Sequence, residues 1–289
     1  MHYEGMIIRP PSEANSILLQ VTLGCSHNKC TFCGTYREKR FNIKKDDVIF
    51  GDIEFARKHC RRQNRLFLCD GDALILPMKR LVPILERIRD RLPWVERVGV
   101  YANTKSINMK TDEELALLHN LGLNIAYMGL ESGDNKVLEA IRKGADADKM
   151  IAMGKKLKKA GIKVSVTVLL GLGGPKGSLD HARETGRVLT AMDPDFVGAL
   201  SLMLIPGTEL HDQYVKGDFQ LLGPDEMLTE LGAMISATNL TDGLFHANHA
   251  SNYLPIRAHL PRDKEKTLEL ISQALDGKVP LKPEYMRAL

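Results

Sequence analysis

Cys25-Ser26-His27-Asn28-Lys29-Cys30-Thr31-Phe32-Cys33 carries three of the chain's five cysteines within nine residues. An apolar run, Ser16 to Leu23 (SILLQVTL), leads into it, and Gly24 separates the two. The spacing is C-x4-C-x2-C. Three thiols so close cannot all pair as disulfides, because three is odd. Thiolates are soft ligands that suit zinc, copper(I) and iron–sulfur clusters. A closed structural zinc site takes four ligands. No fourth cysteine lies nearby, and His27 is cramped between two of the candidate ligands. Three cysteines leave one metal position open, which chemistry needs and a structural site avoids. A zinc knuckle, a copper site and redox thiols stand as alternatives at this point.

The run before the cysteines reads as a strand: short, β-branched and ended by glycine. The pattern recurs. Arg65 to Leu68 ends at Cys69-Asp70-Gly71-Asp72, and Val95 to Tyr101 ends at Ala102-Asn103-Thr104. Asn124 to Leu130 closes on Glu131-Ser132-Gly133, and Lys163 to Leu170 on Gly171-Leu172-Gly173-Gly174-Pro175. Phe196 to Leu204 closes on Ile205-Pro206-Gly207-Thr208. Helical segments fall between: Asp46 to Arg61, and Lys79 to Leu92 with Leu81, Ile84, Leu85 and Ile88 on one face. Thr111 to Glu114 opens another as a capping box. Asp134 to Lys143 and Asp148 to Ala160 break at Gly144, and Ser178 to Met192 follows. Continuous apolar strands alternating with helices describe a parallel sheet covered on both faces. The expected fold is α/β: a partial (β/α)6 TIM-like barrel over residues 1–210. A C-terminal extension, 211–289, is expected to pack on it. In that extension Pro224 to Thr238 and Arg262 to Ala274 read as helix and Asp242 to Pro261 as irregular.

At 289 residues the chain allows one large barrel or two smaller domains. Hydrophobic content of 44% and charged content of 26% are ordinary for a globular protein. A net charge of +4 argues only weakly for a polyanionic partner. Met1 to Gly5 lacks the basic start of a signal peptide, and five cysteines without one point to a reducing, cytoplasmic setting. Apolar runs such as Val164 to Leu172 are too short to span a bilayer.

In a βα barrel the working residues gather at the C-terminal ends of the strands. Gly, Pro, Asp and Asn also simply terminate strands. Six polar strand ends together with a thiolate loop indicate one shared site.

The order of these motifs resembles the radical S-adenosylmethionine (radical SAM) superfamily over residues 16–210. The nearest branch holds the elongator-type acetyltransferases, the methylthiotransferases and the oxygen-independent coproporphyrinogen dehydrogenases. Met-Gly-Leu-Glu-Ser-Gly-Asp at 128–134, followed by Val137-Leu138 and Ile141-Arg142-Lys143-Gly144, is especially similar. The family's usual spacing is C-x3-C-x2-C, so one extra residue stands between Cys25 and Cys30, which a local bulge would absorb. The resemblance implies that Cys25, Cys30 and Cys33 ligate three irons of a [4Fe–4S] cluster, with SAM chelating the fourth. One electron from the cluster would then cleave SAM to methionine and a 5′-deoxyadenosyl radical.

It implies further contacts. Phe32 would lie by the adenine. Gly71 and Asp72 would meet the methionine ammonium. Glu131 would bind the ribose hydroxyls, and Lys143, or Arg142 beside it, the SAM carboxylate. Thr167 would contact the ribose, and Gly171, Gly173 and Gly174 would bring backbone to the adenine. Asn103 and Tyr101 join by position. Read locally, Glu131 is also a surface strand-end carboxylate, Lys143 a helix C-terminal cation and Asp72 an N-cap. Cys60 and Cys69 read as ordinary cysteines. The implied partners are a small-molecule or cofactor-precursor substrate and an external low-potential electron donor of flavodoxin or ferredoxin type. A tRNA-modifying enzyme is an alternative, from the basic runs Arg57 to Arg62 and Lys155 to Lys159, although such runs are usually a solvated face. A third reading is a non-catalytic metal- or haem-binding protein on the same scaffold. It would use His246 and His249, whose H-x-x-H segment also suits substrate contact or capping of the barrel mouth.

Overall fold

The computed structural model describes residues 1–288. In chain order they form β1 (Ile17–Gln20), β2 (Thr22–Leu23), β3 (Asn42–Ile43), α1 (Asp46–His59), β4 (Arg65–Cys69), α2 (Met78–Arg91), β5 (Arg97–Ala102), α3 (Thr104–Asn108) and α4 (Asp112–Asn120). There follow β6 (Leu123–Glu131), α5 (Asn135–Ala140), α6 (Ala147–Lys159), β7 (Lys163–Leu170), α7 (Gly174–Met192), β8 (Phe196–Ser201), α8 (Glu209–Lys216), α9 (Pro224–Ala237), β9 (Gly243–Ala247), β10 (Ile256–Leu260) and α10 (Lys264–Leu275).

The architecture is the expected α/β one. One eight-stranded sheet runs β1-β4-β5-β6-β7-β8-β9-β10. Parallel registers include Ile17↔Leu66, Leu68↔Val100, Tyr101↔Tyr127 and Thr167↔Gly198. All six strands read from the sequence are in it. The sheet and its flanking helices fit a partial TIM-like barrel.

Some segments differ from the sequence reading. The run Ser16 to Leu23 is not one strand. Val21 donates its N–H to the Cys69 carbonyl (2.7 Å), and β2 turns away to pair antiparallel with β3. Residues 242–261 are not irregular. They supply β9, parallel to β8, and β10, antiparallel to β9, so the sheet continues past residue 210. Their period-2 pattern is hidden because the half-exposed face carries His246, Arg257 and His259. A short helix, α3, was also not expected; Asn103 and Ser106 close a capping box on it.

By contacts the chain divides into two compact units. The first comprises residues 1–28, 35–128 and 155–164; the second comprises 29–34, 129–154 and those from 165 onward. Phe67 centres the first core. It meets Tyr101 and Tyr127 edge-on, with centroids 4.9 and 5.6 Å away. Leu81, Ile84, Leu85 and Ile88 of α2 are buried, as their spacing predicts. In the second unit Val166, Val168, Val197, Phe245, Leu231 and Ile235 are buried. Each such side chain contributes about 1.5–3 kcal/mol. Among the described residues no helix is long and apolar enough to cross a membrane.

Candidate functional site

β1, β4 and β5 are parallel neighbours, so the segments that follow them emerge at one edge of the sheet. In the first unit Asp72, after β4, is fully buried. Its Oδ2 accepts from Ser26 Oγ (2.5 Å) and Asn103 Nδ2 (2.7 Å), and its Oδ1 accepts from the Asn103 N–H (3.3 Å). Asn103 Nδ2 also donates to Ser26 Oγ (3.0 Å), while Asn103 Oδ1 accepts from the Ser106 N–H (2.9 Å). Asp72 makes no side-chain helix cap, so the N-cap reading is not what holds it. Burial pushes its carboxyl above the usual range, with Ser26 pulling the other way.

Asp70 is also fully buried. It accepts from Tyr36 Oη (3.0 Å) and Gln20 Nε2 (3.0 Å), and its N–H donates to Thr22 Oγ1 (3.2 Å). Burial raises the Asp70 carboxyl, and burial with the nearby carboxylate raises the Tyr36 phenol. Gly71 stands between the two aspartates. A Cβ there would lie 2.7 Å from the Tyr36 ring and 3.1 Å from the Cys25 Cβ, so only glycine fits. Asn28 lies between Cys25 and Cys30. It takes a left-handed φ of 45° and donates its side-chain amide to the Tyr36 carbonyl (2.8 Å). Asparagine tolerates that conformation better than most residues.

Cys25, Cys30 and Cys33 are half-buried thiols. Cys25 belongs to the first unit, Cys30 and Cys33 to the second. Among the described residues no three His, Cys, Asp or Glu side chains stand assembled as a metal site. The donors nevertheless fit an iron–sulfur cluster chemically: three soft sulfurs, none in a disulfide, all reachable from solvent. Phe32 is half-buried. Thr31, beside it, donates its N–H to the Ile141 carbonyl (3.1 Å) and accepts from the Leu210 N–H (3.0 Å). Tyr101 packs into the aromatic cluster on Phe67.

In the second unit Glu131 ends β6 with a left-handed φ of 64°. Lys143 Nζ donates to its Oε1 at 2.8 Å, and the two side chains are only 11% and 14% exposed. The sequence reading thus named two residues that the fold brings together. A Cβ on Gly129 would strike the Glu131 carboxylate and stand 2.9 Å from Lys143 Nζ, so this glycine leaves the pair its room. Arg142 is held elsewhere, in a bidentate pair with Glu209 (2.8 and 2.8 Å). Lys143 is therefore the cation at Glu131. Thr167 is half-buried on β7, opposite Gly198.

Gly171 donates its N–H to Glu230 Oε1 (2.6 Å), and Met227 fills the space beside it. Glu230 lies in a buried polar network that the sequence reading missed. Ser178 Oγ donates to its Oε2 (2.5 Å). His181 Nε2 donates to the Leu169 carbonyl (3.1 Å) and stands 3.5 Å from Glu230 Oε1. His181 Nδ1 then accepts from Ser132 Oγ (2.8 Å). Burial pushes Glu230 up to about 7 and His181 down to about 4. The available signal was three polar residues, Ser178, His181 and Thr185, on the buried stripe of α7.

The two C-terminal histidines are engaged separately. His246 faces Arg257 across the β9–β10 pair, and burial first, then Arg257, lowers its pKa. His249 Nδ1 accepts from the Ser251 N–H (3.2 Å) and closes its own turn. Asn252 fastens that turn to β8 through Ser201 Oγ (2.9 Å) and the Ala199 carbonyl (2.8 Å). Of the basic runs, Lys159 pairs with Asp112 (2.6 Å), Arg57 with Glu54 (3.0 Å), and Arg61 lies over the Trp94 ring (4.3 Å).

A family model described as the radical SAM superfamily matches residues 19–188, more than half of the chain. An uncharacterized protein of Methanocaldococcus jannaschii is 26% identical over 227 residues, covering 74% of this chain and 68% of that one. Among solved structures, a radical S-adenosylmethionine methyltransferase from Kitasatospora setae, with cobalamin and a [4Fe–4S] cluster bound, aligns with a TM-score of 0.58. The identity is 17%, over 70% of this chain and 39% of that one. Coproporphyrinogen III oxidase from Escherichia coli, a radical SAM enzyme, aligns with a TM-score of 0.57 and 16% identity, over 76% of this chain and 51% of its own. These two likenesses show the fold, and this chain spans only about half or less of either structure. The chain is an enzyme of the radical SAM superfamily, whose members bind a [4Fe–4S] cluster and S-adenosylmethionine.

Proposed function

We propose that this chain holds its cluster on Cys25, Cys30 and Cys33, cleaves SAM reductively and uses the resulting radical chemistry on a small-molecule or cofactor-precursor substrate. The observation that carries the reading is the run of three solvent-reachable thiols, Cys25, Cys30 and Cys33, inside the family-matched region. When bound, the cluster and SAM supply one-electron cleavage of a carbon–sulfur bond.

The chain's own residues bind and orient. The Glu131–Lys143 pair offers one anion and one cation beside each other. That suits a ligand with both hydroxyls and a carboxylate: Lys143 takes the carboxylate and Glu131 the ribose hydroxyls. Phe32 gives an apolar face for the adenine, and Thr167 a hydroxyl for the ribose. The electron comes from an external low-potential donor of flavodoxin or ferredoxin type.

The test is anaerobic reconstitution with iron and sulfide, then SAM and dithionite, with 5′-deoxyadenosine measured by chromatography. The intact protein is expected to form it and Cys30→Ala to form none. Equal product from the two, or none from the intact protein, would sink the reading.

A further inference from the structure

We infer that Asp70-Gly71-Asp72 is a clasp on the cysteine loop. Its two carboxylates hold the two arms of the loop and so position the thiols for the cluster, rather than touching the cofactor's methionine. The inference rests on the proposed cluster ligands.

The geometry is two-handed. Asp72 takes the leading arm through Ser26, the residue next to Cys25 (2.5 Å). Asp70 takes the trailing arm through Tyr36, shortly after Cys33 (3.0 Å). Gly71 supplies the gap into which the Tyr36 ring fits, and Cys25 abuts the same gap. Asn28 ties the middle of the loop to the Tyr36 carbonyl (2.8 Å).

Both aspartates are fully buried, and a buried carboxylate is tolerated only when its oxygens are hydrogen-bonded. Here loop residues supply part of that bonding: Ser26 on one side and Tyr36 on the other. Asn103 (2.7 Å) and Gln20 (3.0 Å) add further bonds. All four oxygens are thereby engaged by protein donors. Moving the carboxylate to a ligand would release a loop arm. The arrangement also answers the long spacing between Cys25 and Cys30. An extra loop residue adds conformations, and tethers at both arms and in the middle remove them. Groups that orient metal ligands without touching the metal are known to tune retention in this way.

The experiment uses reconstituted full-length protein. It follows iron content, the electron paramagnetic resonance spectrum of the reduced cluster, the rate of iron loss to a chelator and SAM affinity by calorimetry. Ser26→Ala and Tyr36→Phe each remove one hydroxyl, and iron is expected to leave about 10- to 100-fold faster from each. Ser26→Thr keeps the hydroxyl and is expected to restore the slow rate. Asp72→Asn is expected to lose iron faster before any separate effect on SAM appears. If the intact protein takes up a full cluster but Ser26→Ala and Tyr36→Phe release iron as slowly as it does, the clasp is refuted. Asp72→Asn with normal iron retention and weakened SAM binding refutes it too, in favour of a direct ammonium contact. An intact protein that takes up no cluster removes the cluster reading itself, a result distinct from the other two.

Discussion

Replacing Glu230 by Gln should expose a hidden pH dependence of stability. Glu230 ordinarily ionises near 4.5, and burial raises it to about 7 in the native protein. Between those values the native state keeps a proton that the unfolded chain has released. Stability from this group is therefore fully present below 4.5 and is lost as pH rises through 7. His181 acts in the opposite sense. It ordinarily titrates near 6.5, and burial lowers it to about 4. Between those values the unfolded chain takes up a proton that the native state refuses. Stability from this group is lost as pH falls from 6.5 to 4. At about 1.36 kcal/mol per pKa unit, each group contributes about 3 kcal/mol over its window. The windows overlap, so in the intact protein the two slopes nearly cancel between 4.5 and 6.5.

Glu230→Gln removes only the falling limb, because the amide oxygen still accepts from the Gly171 N–H. The variant should gain about 3 kcal/mol of stability from pH 4 to pH 6.5, against a nearly flat profile for the intact protein. Urea unfolding across that range measures it, followed by circular dichroism and by fluorescence of the single tryptophan, Trp94. His181→Gln should show the mirror image, a loss of about 3 kcal/mol from pH 4.5 to 7. A Glu230→Gln profile as flat as that of the intact protein would show that the buried carboxyl holds no proton, and the reasoning from burial would fail.

Other changes have simpler expected outcomes. Lys143→Met leaves Glu131 mostly buried without its cation and should cost about 3 kcal/mol in urea unfolding. On the proposed role it should also weaken SAM binding in calorimetry. Gly129→Ala places a Cβ against both members of the pair, and its SAM affinity should fall although no charge is lost. Asn252→Ala leaves the Ala199 carbonyl and Ser201 hydroxyl buried without their partner and should cost about 1–3 kcal/mol, read from the urea midpoint. Phe67→Ala empties the centre of the first core and should cost about 3–5 kcal/mol by the same measurement.

How far the sequence is readable follows the range of the interactions. Lys163–Leu170 was bounded correctly because its start and end are marked locally, by a charged residue and by a glycine. The Thr111–Glu114 capping box was readable because its partners are three residues apart. Glu131 and Lys143 were named together because one strand–turn–helix unit joins them. The partners of Asp70 and Asp72 lie 34 and 46 residues away, where no periodicity reaches. The hairpin β9–β10 was missed for a different reason: its buried face is Phe245, Ala247, Ile256 and Ala258, and the polar face masks it.

The strand-end carboxylates show why residue type alone could not divide structural from functional roles. Asp72 and Glu131 both follow strands, and both were expected at the cofactor. Asp72 is fully buried with both oxygens bonded to the protein, so exchanging those partners for a ligand would unmake its surroundings. Glu131 keeps partial exposure and has a long, flexible cation as its partner. Exchanging that pair for two new polar contacts keeps both charges partnered, whereas removing one partner would not. The strain at Glu131's left-handed backbone points the same way, since a fold that holds such a conformation at a strand end is aiming that side chain. On the proposed roles, Glu131 is the carboxylate that changes partner when a ligand binds, and Asp72 is the one that keeps the loop in place.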